Sequence, residues 1–130
     1  MGFRIEPHPE AFSLSSDKKK RPRKEDGAHL KWIRTLPCLV TGLRRHVEAA
    51  HIRYGSLQHG KPATPLGRKP DDRWAVPLSA EKHRLADDAQ HNSNEREWWD
   101  RQGIDPITTA ALLFAVSGDD EAAEQIIRNA

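Results

Sequence analysis

This chain has a single cysteine, and it has neither a long apolar run nor a recognisable secretion signal. Cys38 is the only cysteine, which excludes an internal disulfide and a zinc site built from cysteines alone. The longest apolar run, residues 110–116, is far shorter than the ~20 residues that a membrane-spanning helix needs. The N-terminus has no apolar stretch of the kind that directs secretion. These absences predict a cytoplasmic protein that has no membrane partner.

The chain is short and polar, with 130 residues of which 36% are hydrophobic and 31% are charged. This length allows one domain with a single modest core. Residues 1–35 and residues 36–73 each have a net charge of +4, whereas residues 74–130 have −6. A basic front half favours a polyanionic partner such as nucleic acid, because lysine and arginine displace counterions from phosphates. The alternative is that surface charge only keeps the protein soluble.

Residues 1–27 are predicted to form a flexible basic arm, and residues 28–130 to form the folded domain. Three prolines interrupt the arm, and six of the seven residues from Lys18 to Lys24 are basic. Such a run repels itself and has little to bury. We expect it to lie along a phosphate backbone, to act as a localisation signal or to remain a solvated tail.

The domain is predicted to be α+β, with two short strands at residues 47–52 and 74–78. The loop between them, residues 53–68, is rich in glycine and proline and is therefore irregular. Pro77 cannot donate to a strand ladder, so it marks the end of the second strand or a sheet edge. A first helix is predicted at residues 28–36. Further helices are predicted after the N-caps Ser79, Asn92 and Asp105, and over residues 121–129.

The segment 38–42 contains half of a metal-binding turn. The sequence Cys-x-x-Cys-Gly is typical of a zinc knuckle, but Thr41 occupies the position of the second cysteine here. We therefore expect Cys38 to be a small buried residue rather than a metal ligand.

Four residues could cooperate in cleaving a phosphodiester: His51 ends the first strand, Asp72 precedes the second, and His83 and His91 follow it. Such cleavage needs a metal ion, an imidazole that takes a proton from water and a group that orients this imidazole. Each residue also has a plainer interpretation. His51 could be a core histidine, Asp72 a turn residue, His83 an exposed helical residue and His91 a residue packed near Trp98.

The identity of the metal ion stays open from the sequence. Histidine-rich ligation suits zinc, nickel or manganese, and turnover in cells could use magnesium. Asp87 lies four residues after His83 and is a competing ligand if one helix carries both. His46 and His59 are expected at the surface.

Four segments together resemble the HNH-type nucleases of phages and prophages, in particular the group that includes the phage recombination-enhancing nuclease. These segments are residues 36–42, 47–53, 69–78 and 90–106. The resemblance implies a ββα-metal core with flanking helices, a divalent metal ion and endonuclease activity on DNA. It also implies that His51 is the general base or a metal ligand, that Asp72 orients the base, and that His83 and His91 bind the metal.

The sequence departs from the HNH pattern at the metal. Ala50 precedes His51 where many HNH nucleases carry a metal-binding residue. Ser79 and Lys82 stand where cysteines are frequent in such nucleases. The metal is then expected to be held by two or three side chains and water, an open arrangement that suits catalysis.

Basic residues of the loop and of the arm are predicted to hold single- or double-stranded DNA through its phosphates. They are Arg53, Lys61, Arg68, Lys69 and Arg73 in the loop and Lys18, Lys19, Lys20 and Arg21 in the arm. The first hypothesis is a metal-dependent DNA endonuclease. The alternatives are a catalytically inactive, metal-containing nucleic-acid-binding module and a small accessory protein whose histidines are structural.

Overall fold

The computed structural model describes residues 23–92 and 94–130, in which one helix precedes a two-stranded hairpin and helical elements follow it. The strands are β1 (Val47–His51) and β2 (Ala75–Ser79). The α-helices are α1 (Gly27–Ile33), α2 (Glu95–Gln102), α3 (Pro106–Ala115) and α4 (Asp120–Arg128). Shorter helical turns cover Asp72–Trp74, Glu81–Leu85 and Gln90–Asn92. The predicted α+β class is confirmed.

The two strands form an antiparallel pair in which His51 lies opposite Ala75. Both predicted strands are confirmed to within one residue at each end. Pro77 lies in the middle of β2, which is an edge strand because the sheet has two strands. Its carbonyl accepts a hydrogen bond from the Leu39 N–H at 2.9 Å. The outer side of β2 is therefore partly occupied by the protein's own chain.

The two faces of the sheet pack against different clusters. Because side chains alternate along a strand, Ala50 projects to one face and Ala49 to the other. The Ala50 face belongs to a buried cluster that contains Trp98 and Trp99 of α2. The second cluster is packed against Ala49, and its buried residues are Ile33, Leu36, Leu113 and Ala123. The sheet thus separates two packed regions, and a side chain on β1 faces one or the other.

Local residue chemistry fixes several of the helix ends. The Asp105 carboxylate accepts hydrogen bonds from the N–H groups of Ile107 and Thr108, each at 3.1 Å, at the start of α3. Gly103 ends α2 with a φ of 71°, a left-handed conformation that costs glycine little. The Asp105 cap agrees with the prediction from sequence.

Helix α2 begins two residues later than the predicted cap would place it. Asn94, not Asn92, is the N-cap, because its side chain accepts a hydrogen bond from the Glu97 N–H at 3.1 Å. Asn92 lies in the preceding helical turn, where its side-chain amide donates to the Ala86 carbonyl at 2.9 Å. Two nearby asparagines could serve as caps, and Asn92 is used elsewhere.

The helix predicted after Ser79 is reduced to one turn. Glu81–Leu85 closes with a wide hydrogen bond from the Ala86 N–H to the Glu81 carbonyl at 3.1 Å, after which Ala86 is extended. None of the residues in this turn is buried, so no apolar face holds a longer helix against the core. Asp87 therefore lies beyond the turn and does not share a helical face with His83, as a competing ligand would have to.

Cys38 is fully buried, as predicted. Its Sγ atom accepts hydrogen bonds from the N–H of Thr41 at 3.4 Å and from the N–H of Ser79 at 3.2 Å. These bonds connect the turn at 38–42 with the end of β2.

No helix within residues 23–92 and 94–130 is long and apolar enough to cross a membrane. Lys18, Lys19, Lys20 and Arg21 lie outside the described residues, so their contact with DNA stays a prediction. Residues 23–26 belong to the predicted arm, yet they are bonded to the domain in a way that shapes the candidate site.

Candidate functional site

His51 and Asp72 form the first candidate pair. The Nε2 atom of His51 donates a hydrogen bond to the Oδ1 atom of Asp72 at 2.8 Å. His51 ends β1 and Asp72 opens the turn before β2, so the pairing of the two strands brings these side chains together. The His51 side chain is 19% exposed, which leaves it accessible to water.

The Asp72 carboxylate is surrounded by donors, and its side chain is only 3% exposed. The Asp26 N–H donates to Oδ2 at 2.8 Å, and the Arg23 guanidinium donates to Oδ1 beside His51. Burial raises the pKa of Asp72, but these hydrogen bonds outweigh burial and hold the pKa below its ordinary value. Asp72 is therefore ionised at neutral pH.

An ionised Asp72 determines which nitrogen of His51 carries the proton. Because a carboxylate only accepts hydrogen bonds, Nε2 is the protonated nitrogen of the neutral imidazole. The Nδ1 atom then has a lone pair that can take a proton. The pair has the composition of a general base with its orienting group.

Glu48, His83 and His91 form a second cluster. The Nδ1 atom of His83 donates to Oε1 of Glu48 at 2.8 Å, and the His83 and His91 ring centroids are 4.1 Å apart. Arg84 donates to both oxygens of Glu48, with a shortest distance of 2.7 Å. The single turn after β2 thus brings two of its residues to the start of β1.

The pKa shifts in the second cluster favour an ionised Glu48 beside a neutral His91. Burial and then the neighbouring His83 lower the pKa of His91. A hydrogen bond from Arg84 is the largest influence on Glu48, and with the bond from His83 it lowers the pKa of Glu48 despite partial burial. Metal ligands need these same protonation states.

The two clusters lie on opposite faces of β1. Glu48 and His51 are three residues apart on a strand whose side chains alternate, so Glu48 projects with Ala50 and His51 projects with Ala49. The structure therefore does not bring His51 and His83 together in one ligand set, which the sequence led us to expect. In the described ranges 23–92 and 94–130, no group of three or more His, Cys, Asp or Glu side chains is arranged to hold a metal ion.

The predicted DNA-binding residues of the loop divide into two groups. The Arg53 guanidinium donates to two carbonyls of the loop, and Lys61 is 4% exposed. Both side chains are used within the loop instead of facing a phosphate. Arg68, Lys69 and Arg73 are exposed, and the Arg73 guanidinium lies 4.6 Å from the Trp74 ring centroid. These three remain accessible to a polyanion.

The two histidines expected at the surface differ in their exposure. His46 is exposed, as predicted. His59 is half-buried: its Nδ1 lies 3.1 Å from the Ser56 hydroxyl and its Nε2 lies 3.3 Å from the Thr108 hydroxyl. This position joins the loop to α3.

Sequence reasoning missed Arg23, Asp26 and Glu48. Arg23 and Asp26 fall within the predicted arm, although Asp26 caps α1 by accepting a hydrogen bond from the His29 N–H at 3.0 Å. That capping pattern was the signal that could have moved the domain boundary. Glu48 precedes His83 by 35 residues, and no sequence spacing connects them.

No family model, curated protein or solved structure matches this chain. The geometry of the two clusters and their charged surroundings is therefore the basis for a functional proposal.

Proposed function

We propose that this protein is a metal-dependent endonuclease of the HNH type, which hydrolyses DNA phosphodiester bonds. The observation that carries the proposal is the 2.8 Å hydrogen bond between His51 and Asp72, made across a β-hairpin. A helical turn with His83 follows this hairpin. The same order of elements and residues is what the resemblance to HNH nucleases implies, and it supports a ββα-metal core.

His51 is the general base in this proposal. Its Nδ1 atom takes a proton from the attacking water, and the Asp72 carboxylate stabilises the imidazolium that forms. Arg23 and Asp26 act as positioning residues, because they hold the carboxylate that orients the ring. A general base of this kind contributes roughly 10²- to 10⁴-fold to the rate.

DNA is the proposed substrate because basic side chains surround the turn that carries Asp72. Lys24 and Arg73 line a cleft of about 500 Å³ that also includes Asp71. Lys69 is exposed just before this turn. Cationic groups in these positions attract phosphates and make binding depend on salt.

A divalent metal ion, either zinc, magnesium, manganese or nickel, belongs to the proposal because phosphodiester hydrolysis gains from charge stabilisation at the phosphate. The described side chains as arranged do not fit a three-ligand site. Glu48, His83 and His91 are suitable donor types, but they lie on the face of β1 opposite His51. Metal binding is therefore measured separately from cleavage.

The separation of the two clusters favours one alternative function. A protein that keeps the hairpin and the basic surface without a metal ion beside His51 would bind nucleic acid and not cleave it. The second candidate function is therefore that of a catalytically inactive, metal-containing nucleic-acid-binding module.

Cleavage of supercoiled plasmid tests the proposal. Purified protein is incubated with plasmid in EDTA or in Mg²⁺, Mn²⁺, Ni²⁺ or Zn²⁺, beside the variants His51→Ala and His46→Ala. We expect nicking that depends on a metal, falls at least about 100-fold in His51→Ala and persists in the control, whose histidine is exposed. Calorimetric titration with each metal is run on the same samples.

Three results would revise the proposal. Cleavage that survives in His51→Ala would remove the assigned base. DNA binding without cleavage in any metal would support the binding module. Failure to bind either metal or DNA would leave a small accessory protein with structural histidines.

A further inference from the structure

Leu57 and Leu66 are almost fully exposed, at 102% and 96%, which is more than any other large apolar side chain in the described part of the molecule. Both lie in the loop between β1 and β2. The next most exposed are Leu85 at 64%, Leu43 at 58% and Leu112 at 49%. Burying either leucine against a partner would gain free energy, because it removes apolar surface from water.

Leu57 is presented by a closed miniature hairpin. Ser56 and Lys61 exchange backbone hydrogen bonds at 2.8 and 2.9 Å, and the Gly60 N–H donates to the Leu57 carbonyl at 3.1 Å. The buried Lys61 ammonium donates to the Tyr54 carbonyl at 2.7 Å and thereby holds the base of this hairpin. The tip is fixed while the Leu57 side chain stays in solvent.

Leu66 is held in a comparable way by Arg53. The guanidinium of Arg53 donates to the Pro65 carbonyl at 3.0 Å and to the Arg68 carbonyl at 2.6 Å, on both sides of Leu66. The Arg68 N–H also donates to the Pro65 carbonyl at 3.2 Å, which closes the turn. The side chains of Arg53 and Lys61 thus stabilise the loop through hydrogen bonds to its backbone. The two leucines are the exposed large apolar side chains of this loop.

Cationic side chains share a cleft with Leu57, and an exposed lysine follows Leu66 in the sequence. Leu57 borders the cleft that contains Lys24 and Arg73. Lys69 is exposed three residues after Leu66. An apolar tip beside cations is complementary to duplex DNA, where phosphates flank the groove and stacked bases offer apolar faces.

We propose that Leu57 and Leu66 are wedges that enter the minor groove of duplex DNA and partly unstack a base step. The inference rests on the proposed DNA substrate and adds how the loop engages it. Apolar wedges of this kind kink the duplex and expose its backbone. Because the loop is already ordered by Arg53 and Lys61, the entropy lost on binding is small.

The test measures DNA binding and base unstacking in EDTA, where no cleavage occurs. A duplex carrying 2-aminopurine reports unstacking by a rise in fluorescence, and anisotropy reports affinity at several salt concentrations. The variants are Leu57→Ala and Leu66→Ala, with Leu112→Ala as an exposed leucine on α3 and Lys69→Ala as a phosphate contact. Circular dichroism verifies that each variant is folded.

We expect each loop variant to bind about tenfold more weakly and to lose fluorescence rise, with an unchanged slope of affinity against salt. Lys69→Ala should reduce that slope by roughly 0.9 and keep the fluorescence rise. Leu112→Ala should behave as wild type. Wild-type affinity and fluorescence in both loop variants would overturn the wedge proposal.

Plasmid cleavage by the same variants separates this inference from the proposed function. Wild-type cleavage with no effect of the leucines on binding overturns the wedges and leaves the nuclease intact. Unstacking that depends on the leucines, in a protein that cleaves nothing, supports the wedges and removes the nuclease. A change in sedimentation of the loop variants, with DNA affinity unchanged, would assign the leucines to a second copy of the chain and overturn the proposal.

Discussion

Two hydrogen bonds of the same length, 2.8 Å, join a histidine to a carboxylate on opposite faces of β1, and their surroundings differ. The Asp72 side chain is 3% exposed and receives additional donors from residues 23–26, so its pair with His51 is a fixed part of the fold. The Glu48 side chain is 28% exposed, and its partner His83 lies on a single wide turn. Equal hydrogen-bond length thus accompanies a buried carboxylate on one face and a partly exposed carboxylate on the other.

The cause of this difference is what covers each face. The segment before α1 closes over Asp72, whereas a turn without buried residues carries His83. A carboxylate held by several donors suits a base whose orientation must persist through a reaction.

Asp72→Ala should have the largest effect, because it removes the acceptor of three hydrogen bonds from the buried face. The donors of His51, Arg23 and Asp26 would lose their partner. We expect the free energy of unfolding to fall by about 2–4 kcal/mol, measured by urea titration. Asp87→Ala, a change at an exposed carboxylate, is the control. A loss in Asp72→Ala no larger than in the control would show that the face is not rigidly held.

Glu95→Ala should have the next largest effect, because Glu95 joins the segment after β1 to the helical turn Gln90–Asn92. Its carboxylate accepts from the N–H of Arg53 at 3.1 Å, from the N–H of Tyr54 at 3.2 Å and from the Gln90 amide at 2.8 Å. We expect a loss of about 1–2 kcal/mol in the free energy of unfolding. Hydrogen exchange at Arg53 and Tyr54 should become faster, and protected amides there would contradict this role.

Low pH should reduce the free energy of unfolding by protonating Asp72, and the variant Asp72→Asn should isolate this effect. The folded pKa of Asp72 lies below its ordinary value of about 3.9, so its contribution to stability is complete above that pH. The contribution disappears as pH falls through the lower folded pKa, where the folded carboxylate is protonated. Urea midpoints between pH 2 and 7 should therefore fall more steeply in wild type than in Asp72→Asn. Parallel curves would assign acid sensitivity to other carboxylates.

Glu48→Gln should have the smallest effect on stability. Glu48 and Arg84 form a partly exposed ion pair, with side chains 28% and 51% exposed, and such pairs contribute little. The urea midpoint should stay within error of wild type. A large loss of stability would mean that the second face is as rigid as the first and would remove the contrast between them.

The sequence was sufficient where a residue's own chemistry fixes the structure. Asp105 was predicted as an N-cap and starts α3, and both strands were predicted to within one residue at each end. The resemblance to HNH nucleases implied that Asp72 orients His51, and the two side chains are hydrogen-bonded. The fold class and this pair were therefore predictable.

The sequence did not predict features that depend on contacts between distant segments or on a lack of packing. The docking of Arg23 on Asp72 spans 49 residues and has no local pattern. The turn with His83 stops at Leu85 because no buried face extends it, which composition does not reveal. His83 contacts Glu48, which projects from the face of β1 opposite His51, and no spacing in the sequence indicates this contact.

Pro77 has a consequence for how molecules of this protein meet at high concentration. Its carbonyl points away from β1 to Leu39, and its ring nitrogen has no hydrogen to offer on that same outer side. A strand from another molecule would find an acceptor already used and a donor missing at the centre of the edge. The middle of β2 therefore resists growth of the sheet by strand addition at this edge.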